Sequence, residues 1–227
     1  MAGSRRLTVG IIDLGISNIT SVSNAFKRIG FSCHLINEDS EEVKVDVLVF
    51  PGVGNFGYLA ARLDSSGLKS RILKHHRSKA PIIGICLGMQ ILFEASHEST
   101  SSSGLGLIPG EVKLLSSQVS KESIRAVPNI GYNMVSALDG VLGCSKEKLD
   151  MLSGYYYFLH SYAVFDRQLD ADIEGITKFA EKEFSSFFLK ENLCGIQFHP
   201  ERSGEQGLYF LDQIMNHFEI YHKEFKL

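Results

Sequence analysis

The first half of the chain alternates short apolar runs with segments in which apolar residues recur every three or four positions. A strand-length apolar run followed by a helical pattern is typical of a β–α–β unit, and successive units build a parallel sheet. The pattern predicts strands at residues 7–12, 31–36, 45–50 and 81–85. It predicts a helix at 18–29, ended by Gly30, and one or two helical segments within 56–77.

The second half has a different pattern. Short strand-like runs lie between residues 111 and 165, and three more lie at 175–179, 185–190 and 193–198. We expect these runs to extend the sheet with antiparallel strands. An amphipathic helix at 204–221 closes the chain, and its inward positions are Leu208, Leu211, Met215 and Phe218. The predicted fold is therefore α/β, with a doubly wound, mostly parallel central sheet and an antiparallel extension, in one domain over residues 1–227.

Composition narrows the function classes. The apolar fraction of 44% is enough for a globular core, and the net charge of -3 gives no broad basic surface for nucleic acid or an anionic membrane. No segment is long enough to span a membrane. The four cysteines (Cys33, Cys86, Cys144 and Cys194) lack the spacing of metal ligands, which indicates a reducing compartment and predicts a cytoplasmic protein.

One cysteine stands in a special place. Cys86 lies between Gly84 and Gly88, where a predicted strand ends and a helical pattern, residues 87–93, begins. A nucleophile on a sharp strand-to-helix turn sits in a strained backbone, and small neighbours make room for that strain. The position also places the sulfur near a helix N-terminus, which favours the thiolate. Cys86 is therefore a candidate nucleophile.

A cysteine nucleophile needs a base. His199 follows the apolar run at 193–198, so it also stands at the end of a strand, and Glu201 lies two residues further on. A carboxylate that holds the imidazole keeps the tautomer able to accept the thiol proton. The pattern alone is weak, because the chain has eight histidines.

A glycine-rich loop follows the third predicted strand. Gly52, Gly54 and Gly57 let the backbone approach a ligand closely and present its N–H groups. We expect Gly52, Val53 and Gly54, with the N–H of Leu87, to form an oxyanion hole. The alternative of a dinucleotide-binding loop is disfavoured, because that motif follows the first strand of its fold.

These segments together carry a resemblance. The chain is similar to class I (triad-type) glutamine amidotransferases, whose fold is flavodoxin-like, and among them to the glutaminase subunits of imidazole glycerol phosphate synthase. The similarity runs in order from about Val9 to Phe218. The segments that carry it are residues 51–57, 84–90, 104–110, 127–133, 157–162 and 197–204.

The resemblance implies a reaction and a partner. Cys86 would attack the side-chain amide of glutamine, His199 would pass the proton to ammonia, and Glu201 would orient His199. Gln90, Glu98, His160, Ser161 and Tyr162 would bind the substrate. The ammonia would pass to a (βα)₈-barrel cyclase subunit in a heterodimer of the histidine pathway, and the free glutaminase would be nearly inactive. No metal or other cofactor is implied.

Two alternatives stay open. The family usually has Trp at the position of Tyr132, His at Asn129 and Lys at Arg202, so a paralogous glutaminase could feed a sugar amidotransferase of surface-polysaccharide biosynthesis instead. A stand-alone cysteine hydrolase on the same fold is an alternative from another class. Gln90 and Glu98 argue against it.

Overall fold

The parallel strands that the apolar runs predict are present, and they lie side by side in one sheet. A computed structural model describes residues 6–15, 17–40, 43–120, 127–139, 145–165 and 169–225. Its strands are β1 (Thr8–Ile12), β2 (Ser32–Ile36), β3 (Val47–Gly52), β4 (Ile82–Cys86), β5 (Phe93–Ser96), β6 (Ile108–Leu114), β7 (Asn129–Asp139), β8 (Gly154–His160), β9 (Tyr162–Ala163), β10 (Ile173–Phe179), β11 (Lys182–Lys190) and β12 (Leu193–Ile196). Its helices are α1 (Ile19–Arg28), α2 (Phe56–Ser65), α3 (Leu68–Arg77), the single turn α4 (Leu87–Gln90), α5 (Lys146–Leu152) and α6 (Gly204–Phe225).

The main sheet has nine strands in the order β2-β1-β3-β4-β12-β11-β10-β7-β8. The first five pair in parallel, and the remaining four continue the sheet with antiparallel pairing. The predicted fold class is thereby confirmed, with one correction. The run at 193–198 was expected in the antiparallel extension, but β12 is antiparallel only to β11 and is parallel to β4. The turn at Glu191 and Asn192 reverses the chain against β11 and so aligns β12 with β4.

The helices cover the two faces of this sheet, each over its own apolar core. Helix α1 begins at the N-cap Asn18, whose side chain accepts a hydrogen bond from Ser21 N, and Gly30 follows it with a φ of 89°. Helix α6 runs four residues beyond its predicted end. Its inward residues Leu211, Met215 and Phe218 are buried, while Leu208 is half-buried against the same core.

Two further features differ from the sequence prediction. The helix expected over residues 87–93 ends at Gln90, because the carbonyls of Ile91 and Leu92 accept hydrogen bonds from the segment at 105–108. The second feature is a separate sheet of three strands in the order β5-β6-β9.

No helix among the described residues has the length and apolar character needed to cross a membrane. Cys144 lies outside the described residues.

Candidate active site

Cys86 is the last residue of β4 and stands directly before α4, as the sequence predicts. Its backbone has φ 55° and ψ -112°, a conformation that L residues rarely adopt. The neighbouring glycines permit this turn. A Cβ atom on Gly88 would lie 1.7 Å from the carbonyl oxygen of Phe50, and one on Gly84 would lie 2.4 Å from the carbonyl oxygen of Gly88. The turn therefore accepts no side chain at either position.

His199 and Glu201 form a buried pair beside this turn. His199 Nδ1 lies 2.8 Å from Glu201 Oε1, and the two side chains are 5% and 3% exposed. Burial lowers the pKa of His199, but the charges of Cys86 and Glu201 and the hydrogen bond to Glu201 outweigh it and raise that pKa to about 10. The arrangement favours the imidazolium form of His199.

The main chain around His199 is fixed to strand β8. The amide of His199 donates to the carbonyl of Tyr157 at 2.8 Å. The Ser203 hydroxyl donates to the carbonyl of His199 at 2.7 Å and accepts from the amide of Tyr157 at 2.9 Å. Three hydrogen bonds thus hold the main chain at His199 in register with β8.

A pocket of about 330 Å³ opens over the Cys86 sulfur, a volume within the range of small-molecule sites. Ten of the residues predicted from the sequence line it, together with Pro128 and Leu159. The ten are Val53, Gly54, Cys86, Leu87, Gln90, Glu98, His160, Ser161, Tyr162 and His199. Glu201 lies behind His199. Gly52 lies under the turn, where a Cβ atom would meet Gly88 N at 2.8 Å.

The polar residues of the pocket are already ordered by the protein. Glu98 Oε2 accepts a hydrogen bond from the amide of Phe56 at 2.7 Å, at the start of α2. Gln90 Nε2 donates to the carbonyl of Tyr162 at 2.8 Å and to Gln197 Oε1 at 2.9 Å. Both N–H groups of Gln90 are therefore used within the protein, which leaves its oxygen as the group that can meet a ligand.

His160 is held neutral. Burial lowers its pKa to about 4, against the raising effect of its hydrogen bond to the Tyr162 carbonyl. Its Nδ1 lies 2.9 Å from that carbonyl, so it carries the proton, and its Nε2 accepts from Asn129 Nδ2 at 2.9 Å. His160 therefore orders the pocket wall and supplies no charge.

Sequence reasoning missed three residues of the site: Pro128, which lines the pocket, and two that lie near the sulfur. Gln197 is fully buried, and its Nε2 lies 3.8 Å from Cys86 Sγ. The carbonyl of Leu159 is the other group near the sulfur, at 3.9 Å. Gln197 stands two residues before His199, within the apolar run at 193–198. The same run that indicated His199 could therefore have indicated Gln197. The contact of the Leu159 carbonyl could not be predicted, because residue types do not indicate which backbone atoms of distant strands lie close together.

A second cavity, of about 550 Å³, lies between α3 and β3 and contains neither Cys86 nor His199. Two of its cationic groups already have partners. Arg71 Nη1 donates to the carbonyls of Asn37 and Ser40, and His222 lies 3.6 Å from Asp46. The smaller pocket is therefore the candidate active site.

The coupling between sulfur and imidazole predicts a titration. In the native protein His199 should titrate with a midpoint near 10. In a Cys86→Ala variant only Glu201 opposes the effect of burial, so the midpoint should fall. Histidine NMR titration measures both. His217 in α6, whose pKa burial lowers to about 4, serves as the internal control and should not move. An unchanged His199 midpoint would mean that the thiol and the ring are not coupled.

Known proteins are similar to this chain in sequence. A protein of Wolinella succinogenes named imidazole glycerol phosphate synthase subunit HisH is 36% identical over 209 residues, which are 89% of this chain and 96% of the relative. A subunit of the same name from Thermus thermophilus is 32% identical over 215 residues, 95% of this chain and 99% of the relative. The Schizosaccharomyces pombe protein named imidazole glycerol phosphate synthase hisHF is 34% identical, but this chain spans only 38% of its length.

Solved structures agree on the fold. A crystal structure of a glutamine amidotransferase matches with a TM-score of 0.61 at 15% identity, covering 92% of this chain and 98% of the other. A chain of PurLQS from Thermotoga maritima matches with a TM-score of 0.67 at 18% identity, covering 94% and 99%. The family model described as glutamine amidotransferase class-I matches residues 10–217, almost the whole of the described sheet and its helices. This chain therefore belongs to the class-I glutamine amidotransferase family.

Proposed function

We propose that this protein is the glutaminase subunit of an imidazole glycerol phosphate synthase, and that it hydrolyses glutamine with Cys86, His199 and Glu201. The observation that carries the proposal is the strained Cys86 turn beside the buried His199–Glu201 pair in one pocket. The histidine pathway is supported by relatives of that name that match this chain over nearly their whole length. The relatives compared above lend no support to a sugar-pathway glutaminase or a stand-alone hydrolase. A catalytic thiol suits the reducing cytoplasm.

The geometry suits a two-step acyl transfer. The Cys86 thiolate attacks the amide carbon of glutamine, and the oxyanion of the tetrahedral intermediate faces the loop of Gly52, Val53 and Gly54 and the amide of Leu87. The imidazolium of His199 gives its proton to the leaving nitrogen, so the C–N bond breaks and ammonia departs from a thioester. His199 then takes a proton from water. The water attacks the thioester, glutamate is released, and the thiolate is regenerated.

Charge and hydrogen bonding support glutamine as the substrate. Glu98, at the mouth of the pocket, offers a carboxylate for the α-ammonium group. The free oxygen of Gln90 is a second acceptor. His160, Ser161 and Tyr162 also line the pocket, and the amide of the substrate would lie over Cys86.

An exposed apolar surface next to the pocket supports a protein partner. Neighbouring strands β7 and β8 pair Ile130 with Leu159 and Met134 with Tyr155, and all four side chains are 39% to 63% exposed. We call these four residues, with Tyr132, the apolar face. Leu159 also lines the pocket, so a partner on this face would cover the mouth of the active site. This position suits delivery of ammonia to a (βα)₈-barrel cyclase without release to water.

The test is a glutaminase assay of the purified chain, alone and with the cyclase subunit of an imidazole glycerol phosphate synthase from the same organism. We expect weak glutamate release alone and a rise of roughly 10²-fold or more with the cyclase, because closure orders the reacting groups and excludes water. Strong stimulation by a sugar amidotransferase instead would identify the other pathway. Hydrolysis of esters or peptides at full rate without any partner would contradict the proposal.

The apolar face allows a matched pair of variants. Tyr155→Glu places a charge among Ile130, Met134 and Leu159, and it should weaken cyclase binding by roughly 10-fold to 100-fold. Tyr209→Glu makes the same change at an exposed tyrosine of α6, on the other side of the sheet, and should leave binding unchanged. Isothermal titration calorimetry measures both affinities. Equal affinities for the two variants would remove the apolar face as the partner site.

A further inference from the structure

Two buried side-chain amides connect the pocket wall to the sulfur. Gln197 Nε2 lies 3.8 Å from Cys86 Sγ, within the range of a hydrogen bond to sulfur. Gln197 Oε1 accepts from Gln90 Nε2 at 2.9 Å, and Gln90 Nε2 also donates to the carbonyl of Tyr162 at 2.8 Å. Gln197 is fully buried and Gln90 is 4% exposed.

The direction of both amides follows from one fixed group. A backbone carbonyl only accepts hydrogen bonds, so Gln90 must turn its NH₂ group toward the Tyr162 carbonyl. The same NH₂ group reaches Gln197, which must therefore present its oxygen. The NH₂ group of Gln197 is then left to point at Cys86 Sγ. An exchange of O and N in either side chain would set two donors or two acceptors against each other.

We propose that Gln197 is a positioning residue for Cys86, and that Gln90 sets the direction of the Gln197 amide. An N–H group that faces the sulfur holds the Cys86 side chain in one rotamer and stabilises the thiolate over the thiol. The inference rests on the proposed role of Cys86 as nucleophile. It adds a second task for Gln90, which acts on the sulfur through Gln197 as well as lining the pocket.

The experiment measures the rate at which iodoacetamide alkylates Cys86 in the purified chain, followed by peptide mass spectrometry across a range of pH. Gln197→Met keeps the length of the side chain and removes its hydrogen bonds. We expect the rate near neutral pH to fall roughly tenfold and the pH profile to move to higher pH. Gln197→Glu keeps an acceptor for Gln90 but removes the donor and adds a negative charge, so its rate should fall at least as far.

Asn192→Leu is the matched control. Asn192 is also a buried amide, but it lies at the opposite end of β12, where it donates to the carbonyl of Ala80. Its replacement should lower the melting temperature and leave the alkylation profile of Cys86 unchanged. If it slows alkylation as much as Gln197→Met does, the effect of Gln197 is one of general stability and the proposal is wrong.

An unchanged alkylation profile in folded Gln197→Met and Gln197→Glu proteins would also overturn the proposal. If the methionine variant does not fold, the glutamate variant decides by the same measurement. Alkylation needs neither glutamine nor a cyclase. The result therefore stands even if the assay for glutaminase activity fails, and the two proposals fail separately.

Discussion

Replacing Cys86 by alanine should reduce glutamine hydrolysis by roughly 10⁴-fold or more, measured as glutamate release in the presence of the cyclase subunit. The expected loss is large because the thioester route needs the sulfur, and a methyl group offers no nucleophile. The fold should survive. The variant removes one atom that lies at the edge of an open pocket, so the melting temperature should change little.

Cys194→Ala is the control for this variant. Cys194 lies on the neighbouring strand β12, is fully buried, and has a pKa that burial raises far above the usual range. Its loss should cost about 1 kcal/mol of folding free energy and leave kcat unchanged. A glutamine analogue with a diazo-ketone group alkylates a thiol with loss of N₂, so it should add its mass less that of N₂ to the native protein and to Cys194→Ala, but not to Cys86→Ala. Full activity in Cys86→Ala would rule out the mechanism.

Replacing Gly88 by alanine should have the largest effect on stability. The added Cβ atom would lie 1.7 Å from the carbonyl oxygen of Phe50, far inside van der Waals contact. Phe50 belongs to β3, which pairs with β4 on one side and β1 on the other, so its carbonyl cannot move aside without breaking the sheet. We expect a loss of about 3 kcal/mol or more, or failure to fold, and loss of the active turn.

Thermal unfolding measures this loss, and Gly67→Ala provides the comparison with a substitution that causes no clash. Gly67 has a φ of 71° but no atom within 4 Å of the position that a Cβ would take. Its substitution therefore introduces backbone strain without a clash and should cost about 1 kcal/mol. If Gly88→Ala proves no more destabilising than Gly67→Ala, the turn at Cys86 can relax, and the steric explanation for its glycines would be wrong.

Strands and helices with a strong local pattern could be predicted from the sequence. Four apolar runs correspond to four parallel strands, and the helix predicted at 18–29 corresponds to α1, in which Val22 and Phe26 are buried. The end of α4 could not be predicted, because Leu87–Phe93 has a helical pattern that long-range hydrogen bonds to residues 105–108 override. The direction of β12 was equally hidden, since it depends on which strand lies beside it rather than on its own residues.

The candidate site divides in the same way. Residue type and position at strand ends made Cys86 and His199 candidates, and motif similarity was needed to support them and supplied most of the other predicted residues that line the pocket. The hydrogen bonds that order them were not available from the sequence. That Gln90 uses both N–H groups within the protein, and that Gln197 faces the sulfur, depend on contacts between residues 72 to 111 positions apart.

The pairing of β4 with β12 has a consequence for protein synthesis. Cys86 ends the first of these strands and His199 follows the second, so the proposed nucleophile emerges from the ribosome long before its proposed base. A nascent chain folds from its N-terminus, and four parallel strands can assemble while the last is still missing. Until β12 inserts beside β4, the Cys86 thiol has neither the His199 imidazole nor the Gln197 amide beside it. By the proposed mechanism, an incomplete chain therefore cannot release ammonia.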